Sequence, residues 1–317
     1  MIKIILWQQK LVCRVGFRGI ISEIQSNLVG ASMTVVFLNG EFMPMADAKI
    51  SPMDRGFLFG DGIYEVIPSY AGRCVGFLPH MQRMQDGLKA IGMPLPMDID
   101  AFKTVVDRLV NDNGRGNLGV YIHVSRGTDT KRNHAFPLNV AQTVFAFTFE
   151  IPAEPVADKT KVKGYKVISA EDLRWKRCHV KSTSLLGNVM HFQQGQDAGV
   201  NETILYNAEG YLTEASACNV FVVKDNMILT PPLDNQLLPG ITRLMLLDIL
   251  KQDNKLKFVE RAVHMDEVRD ADEIWLTSSS KEIAPVLELD GKPVGDGKVG
   301  DRWLAAQGLF SQQKYNY

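Results

Sequence analysis

The sequence predicts a mixed α/β chain, α+β in class, made of two domains. Three observations lead there. Strand-like apolar runs and helix-like 3.6-residue periods alternate along the chain. A proline- and charge-rich stretch, residues 151–163, lacks apolar periodicity and reads as a linker between them. The 317 residues, 45% hydrophobic and 22% charged, suffice for two sizeable cores. The expected organisation is an N-terminal extension (1–32), a smaller α/β domain (33–150), the linker, and a larger domain (164–317).

Residues 1–32 carry Lys3, Lys10, Arg14 and Arg18 before the first acid, Glu23, and their apolar run is broken at Trp7-Gln8-Gln9-Lys10. That is too short for a secretory core. A transit segment fits their charge, but a poorly ordered upstream extension, with Met33 as the functional start, fits better. From there, Asn39-Gly40 between the apolar runs 35–37 and 41–43 is a two-residue hairpin signal. Residues 54–62, punctuated by Gly56, Gly60 and Gly62, read as a turn region, followed by an alternating strand at 63–67. Residues 79–91 read as a helix with Met81, Met84, Leu88 and Ile91 on one face. Asp98 caps a second helix with Phe102, Val105, Val106, Leu109 and Val110 inward. Strands are expected at 120–124 and 143–147 around a polar loop.

Beyond the linker, a strand at 166–168 leads to Lys181, and a helix follows at 185–198. Further strands are expected at 203–206, 219–223 and 273–277. A helix after Gly240 should present Leu244, Leu247 and Leu250 on one side. The formal charge of −1 gives no basic face for nucleic acid or acidic membrane, and no apolar stretch is long enough to span a bilayer. Cys13, Cys74, Cys178 and Cys218 are scattered, with no CxxC pair and no zinc-like spacing, so neither a metal site nor a disulfide framework is expected. A reducing cytoplasm is the default.

Four features carry chemistry. Lys181 follows Arg174, Lys176 and Arg177, and nearby cations together with desolvation favour the neutral amine that attacks a carbonyl. Glu214 is followed by small residues (Ala215-Ser216-Ala217) that permit close approach of something flat, such as a pyridine ring whose nitrogen a carboxylate would keep protonated. Pro239-Gly240-Ile241-Thr242 opens a helix, where free N–H groups and the aligned dipoles favour an anion. Ser278 and Ser279 end a strand with hydroxyls, and Arg83 could add a two-pronged positive charge. Tyr64, Arg132 and His134 are the groups that would grip a substrate carboxylate. Singly, each has an ordinary alternative: a solvated arginine, a turn glycine, a strand-edge glutamate, a charged loop. In this order and spacing, they fit an aromatic aldehyde cofactor bearing a phosphate.

The motifs at 54–65 (Asp54-Arg55-Gly56 through Tyr64-Glu65), 181–188, 212–221 and 238–243 resemble those of fold-type IV pyridoxal-phosphate enzymes, the group that includes D-amino-acid and branched-chain aminotransferases. The resemblance runs from about Met33 to near the C-terminus. It implies pyridoxal 5'-phosphate held by Lys181, with Glu214 at the ring nitrogen and Leu238 against the ring. Arg83, Gly240, Ile241, Thr242, Ser278 and Ser279 would hold the phosphate. Arg132-x-His134 after Arg126-Gly127-Thr128 is similar to the carboxylate trap of D-amino-acid aminotransferases, which implies a homodimer whose Arg132 and His134 reach the partner's site. Ala217 and Cys218 stand where such enzymes often have serines. The implied activity is transamination of D-amino acids of the D-alanine type with 2-oxo acids such as 2-oxoglutarate or pyruvate. A branched-chain L-aminotransferase, an aminodeoxychorismate lyase and an R-selective amine transaminase are alternatives on the same scaffold.

Overall fold

The computed structural model describes residues 34–317, so the expectations for the first 32 residues and Met33 lie outside the described residues. β1 (Val35–Leu38) and β2 (Glu41–Pro44) form the expected hairpin, with Asn39 at φ 50° and Gly40 at φ 101°, the two positive angles that a type I′ turn requires. They join a six-stranded antiparallel sheet with β3 (Gly62–Tyr70), β4 (Arg73–Cys74), β5 (Asn117–Ser125) and β6 (Thr143–Glu150), in the order β2-β1-β6-β5-β3-β4.

Between β2 and β3 lies α1 (Arg55–Phe59), a short helix where the sequence predicts only a turn. Asp54 caps it by accepting from Gly56 N at 2.8 Å, and Gly60 ends it at φ 64°. α2 (Phe77–Ala90) starts two residues earlier than predicted, because proline costs little in a first turn, where its missing N–H has no helical partner. α3 (Ile99–Asp112) is capped by Asp98, which accepts from Ala101 N, and buries the five predicted side chains. Capping of this kind contributes about 1 kcal/mol. Both helices pack on one face of the sheet and close the first core around Ile63, Ile67, Val120, Ile122, Met84 and Leu109.

Residues 151–164 contain no helix or strand. The second sheet has nine strands. Its path is β12-β11-β10-β13-β14-β7-β8-β9, with β15 paired to β14. The strands are β7 (Tyr165–Glu171), β8 (Glu202–Tyr206), β9 (Leu212–Ala215), β10 (Asn219–Lys224), β11 (Met227–Thr230), β12 (Phe258–Glu260), β13 (Glu273–Ser278), β14 (Glu282–Leu289) and β15 (Lys292–Pro293). α4 (Leu186–Asp197) joins the parallel pair β7 and β8, since parallel neighbours need a crossover. α5 (Ile241–Asp253), α6 (Met265–Arg269) and α7 (Asp301–Gln313) complete the layer.

Val220 to Val223 is a continuous apolar run because both faces of β10 are covered. Phe221 and Val223 pack with α5 and α7, while Val220 and Val222 pack with Val263 and Val268. On α5, Leu247 and Leu250 are buried as expected. Leu244 is 47% exposed, a correction: it shares the solvent stripe of Asp248 and Lys251, four and seven residues on.

Candidate active site

Lys181 sits between the two sheets. The chain leaves β7, crosses back as an extended segment and pairs with the free edge of β3. Tyr64 N donates to Lys181 O (3.1 Å) and Thr183 N to Gly62 O (2.9 Å). Its Nζ lies 4.1 Å from the centre of the Tyr64 ring, a cation–π distance. Arg174, Lys176 and Arg177 do not converge on it as the sequence predicts. Arg174 is committed to two carboxylates, and Lys176 and Arg177 point to solvent.

A cavity of about 440 Å³ opens at this junction, within the range of small-molecule sites. Tyr64, Arg83, Lys181 and Glu214 line it, as do Leu238, Gly240, Ile241, Thr242, Ser278 and Ser279. The cavity thus brings together every predicted cofactor contact. Arg132 and His134 lie outside it, exposed on the 128–142 loop, with the Arg132 guanidinium 5.2 Å and the His134 ring 5.3 Å from the Phe59 ring.

Glu214, buried at the end of β9, accepts from three donors: Arg174 Nη1 (2.5 Å), Leu238 N (3.0 Å) and Asn219 Nδ2 (3.2 Å). Arg174 also binds Asp172 through Nε (3.0 Å) and Nη2 (2.7 Å). Burial pushes Glu214 up to about 7 against the pull of Arg174, so its carboxyl is poised to share a proton near neutrality. Two carboxylates facing one guanidinium suit this end of the cavity to a cationic partner. Cys178 and Cys218, also on the wall, are held as thiols: burial pushes the first up to about 11 and the second to about 12.

β13 and the residue after it bring Thr277, Ser278 and Ser279 to the same cavity, and α5 presents its N-terminus there without a side-chain cap. Gly240 is required there, since a Cβ would collide with Asn219 Oδ1. Thr277 Oγ1 is buried with no hydrogen-bond partner among the described residues. A buried hydroxyl without a partner, beside uncapped helix N–H groups, fits an anion.

Arg83 is not the solvated helix arginine its position allows. Nε and Nη2 donate to Glu65 (2.8 and 2.6 Å) and Nη1 donates to Pro239 O (2.9 Å), leaving part of the fork free for an anion. Glu65, on β3, is fully buried and also meets His80 Nδ1 at 2.7 Å. Burial lowers His80, so it is neutral near pH 7 and donates Nδ1–H as a hydrogen bond. Burial alone would raise Glu65; Arg83 first, then His80, hold it down at about 2.

Because that value lies below the ordinary 4.5, the stabilisation is present above about pH 4.5 and is lost as pH falls toward 2. It amounts to about 3 kcal/mol. Glu65→Gln is expected to lower Tm near pH 7, with the gap to wild type closing below about pH 4.5. A gap independent of pH, read by calorimetry, would contradict this account. Glu65, Asp172, Asn219 and the pairing of Arg174 with Glu214 are the parts of the site that sequence reasoning missed. One signal was available: a glutamate at a core-facing position of an apolar strand requires a buried cation.

The fold and the cavity define a class IV aminotransferase, and the chain belongs to that family: the profile described as amino-transferase class IV matches residues 62–289. It is 37% identical over 271 residues to D-alanine aminotransferase of Staphylococcus epidermidis, across 84% of this chain and 93% of that protein. It is equally identical over 265 residues to the D-alanine aminotransferase of Bacillus licheniformis (84% and 92%). Among solved structures, branched-chain amino acid aminotransferase from Escherichia coli superposes at a TM-score of 0.79 with 23% identity, covering 89% of this chain and 95% of that one. The branched-chain aminotransferase of Thermoproteus uzoniensis with norvaline also superposes at 0.79, with 22% identity (90% and 96%), which shows the shared fold. Class IV aminotransferases work with pyridoxal phosphate, and the residues here fit it: one cavity is lined by an amine, a buried carboxylate, and a helix N-terminus with strand-end hydroxyls suited to an anion. No helix among the described residues is long and apolar enough to cross a membrane.

Proposed function

We propose that the chain transaminates D-amino acids of the D-alanine type with 2-oxo acids such as 2-oxoglutarate or pyruvate. The observation that carries this choice of substrate is the 37% identity, over most of both chains, to proteins named D-alanine aminotransferase. Arg132 and His134 add to it as a guanidinium and an imidazole suited to a carboxylate. In the proposed assignment, Lys181 is the catalytic amine and Glu214 and Leu238 hold the ring. Arg83, Gly240, Ile241, Thr242, Ser278 and Ser279 take the phosphate, while Tyr64 borders the substrate.

Bound pyridoxal phosphate supplies an electron-withdrawing ring that makes the substrate's Cα–H acidic. The protein does the rest. Lys181 Nζ accepts the α-proton and donates it back, a base and then an acid. Tyr64 confines the amine from one side. Glu214, its carboxyl fixed by Arg174 Nη1, Leu238 N and Asn219 Nδ2, would keep the ring nitrogen protonated.

We further propose a cytoplasmic homodimer in which Arg132 and His134 reach the partner's cavity. Two features support the dimer: both residues lie outside their own cavity, and α4 exposes Leu186 (72%), Val189 (57%) and Met190 (61%) along one side. Free Cys74, Cys178 and Cys218 suit a reducing compartment. Arg132→Ala is expected to raise KM for D-alanine about 10- to 100-fold with little change in kcat, the pattern of lost uniform binding. Absorbance of the purified holoenzyme before and after D- or L-alanine tests the donor; bleaching by L-alanine alone would overturn the D-specific reading. At D-alanine well below the KM of Arg132→Ala, mixing Arg132→Ala with Lys181→Ala chains should raise the rate above that of either alone, since one mixed site then has both groups. No recovery from dimers shown to have exchanged subunits would place the trap within one chain.

A further inference from the structure

The motif Asp54-Arg55-Gly56 through Gly60-Asp61-Gly62 contributes no side chain to the cavity, yet it contains the buried charged residues Asp54 and Arg55. Arg55 is 3% exposed and is absent from the lining of the Lys181 cavity. Nε donates to Asp61 Oδ2 (2.8 Å), Nη1 to the carbonyls of Asn133 (2.5 Å) and Ala135 (3.3 Å), and Nη2 to that of His134 (3.3 Å). One guanidinium therefore engages three consecutive carbonyls of the loop that carries Arg132 and His134, a loop without helix or strand of its own. Phe59, one helical turn along, adds a second hold. Its ring lies 4.8 Å from the Arg55 guanidinium and 5.2 Å from that of Arg132, with the His134 ring at 5.3 Å.

The base of this brace is itself fixed. Arg126 donates to both oxygens of Asp61 (2.8 and 3.0 Å) and to Ile91 O (2.7 Å), and stacks on Phe136 at 3.6 Å, beyond the far end of the same loop segment. Burial alone would raise Asp61, but Arg126 and Arg55 hold it below the ordinary carboxylate range, so it stays charged. Two guanidiniums share this carboxylate, while the loop carbonyls accept from Arg55 Nη1 and Nη2. A lysine at 55 keeps the charge but cannot span three carbonyls.

We propose that Arg55, with Phe59, is the positioning element for substrate-carboxylate recognition: it sets where Arg132 and His134 stand. The proposal rests on the reading that those two residues receive the carboxylate. The experiment compares Arg55→Lys, Phe59→Leu and Arg132→Ala holoenzymes, reading KM and kcat for D-alanine and the inhibition constant of propionate, which retains the carboxylate and lacks the amine.

Arg55→Lys and Phe59→Leu are expected to raise KM and the propionate constant together, about tenfold. kcat should stay within about threefold and the cofactor absorbance band should be unchanged, which a general loss of structure would not spare. If Arg55→Lys does not fold, Phe59→Leu decides alone, because it leaves the Asp61 pairs intact. If Arg132→Ala weakens propionate while the other two do not, the brace is wrong and the carboxylate reading stands. If Arg132→Ala changes neither constant, both are wrong. A fall in kcat alone in Arg55→Lys would overturn the brace as well.

Discussion

Lys181→Ala is expected to lower kcat more than about a thousandfold while leaving the fold intact. No other lysine lines the cavity among the described residues, so no neighbouring amine stands ready to substitute. The structural cost is small. The segment is fixed by main-chain bonds, Tyr64 N to Lys181 O and Thr183 N to Gly62 O, which alanine keeps, and the side chain gives up its contact with the Tyr64 ring, about 0.5–1 kcal/mol. Circular dichroism should therefore match wild type. The visible band that a lysine-linked cofactor gives should be lost, and a small added amine such as methylamine should restore a fraction of turnover. A variant retaining more than about a tenth of the wild-type rate would remove Lys181 from the chemistry, since loss of a positioned base costs at least about 10²-fold.

How much of this was legible in the sequence follows from how local each cause is. The Asn39-Gly40 turn and the Asp98-capped helix depend on a few adjacent residues, and both form where expected. The ten predicted residues that line the cavity were legible because motif spacing preserves their order. What they rest on was not. Glu65 and Arg83 are 18 residues apart and Arg174 and Glu214 are 40 apart, while Arg55 and the Asn133 carbonyl are separated by 78. Such pairs exist only once the sheets have formed, and nothing periodic marks them. Arg174 shows the consequence. Beside Lys181 in sequence it reads as free positive charge, but in space it is spent on Asp172 and Glu214. The helix at Arg55–Phe59 was hidden by glycines, which mark turns in sequence; here Gly56 packs against Ser125 and Gly60 supplies the terminating positive φ.

Glu214→Gln is expected to lower kcat about 100-fold or more, with KM for the amino donor changed only a few-fold. The donors around it explain why an amide is a poor replacement. Arg174 Nη1 occupies one carboxylate oxygen, and Leu238 N and Asn219 Nδ2 the other. Whichever way the amide turns, its NH₂ faces a buried donor, and an unmet buried group costs about 1–3 kcal/mol. The same variant tests the electrostatics. Burial raises Glu214 to about 7, above its ordinary 4.5, so in the cofactor-free protein this group's contribution to stability is full below about pH 4.5 and is lost as pH rises through 7. The Tm of cofactor-free wild type should accordingly fall over that interval relative to Glu214→Gln, which carries no titrating group at the position. Parallel curves would mean that Arg174 keeps Glu214 ionised throughout, and the carboxyl would then serve as a fixed charge and not as a proton partner.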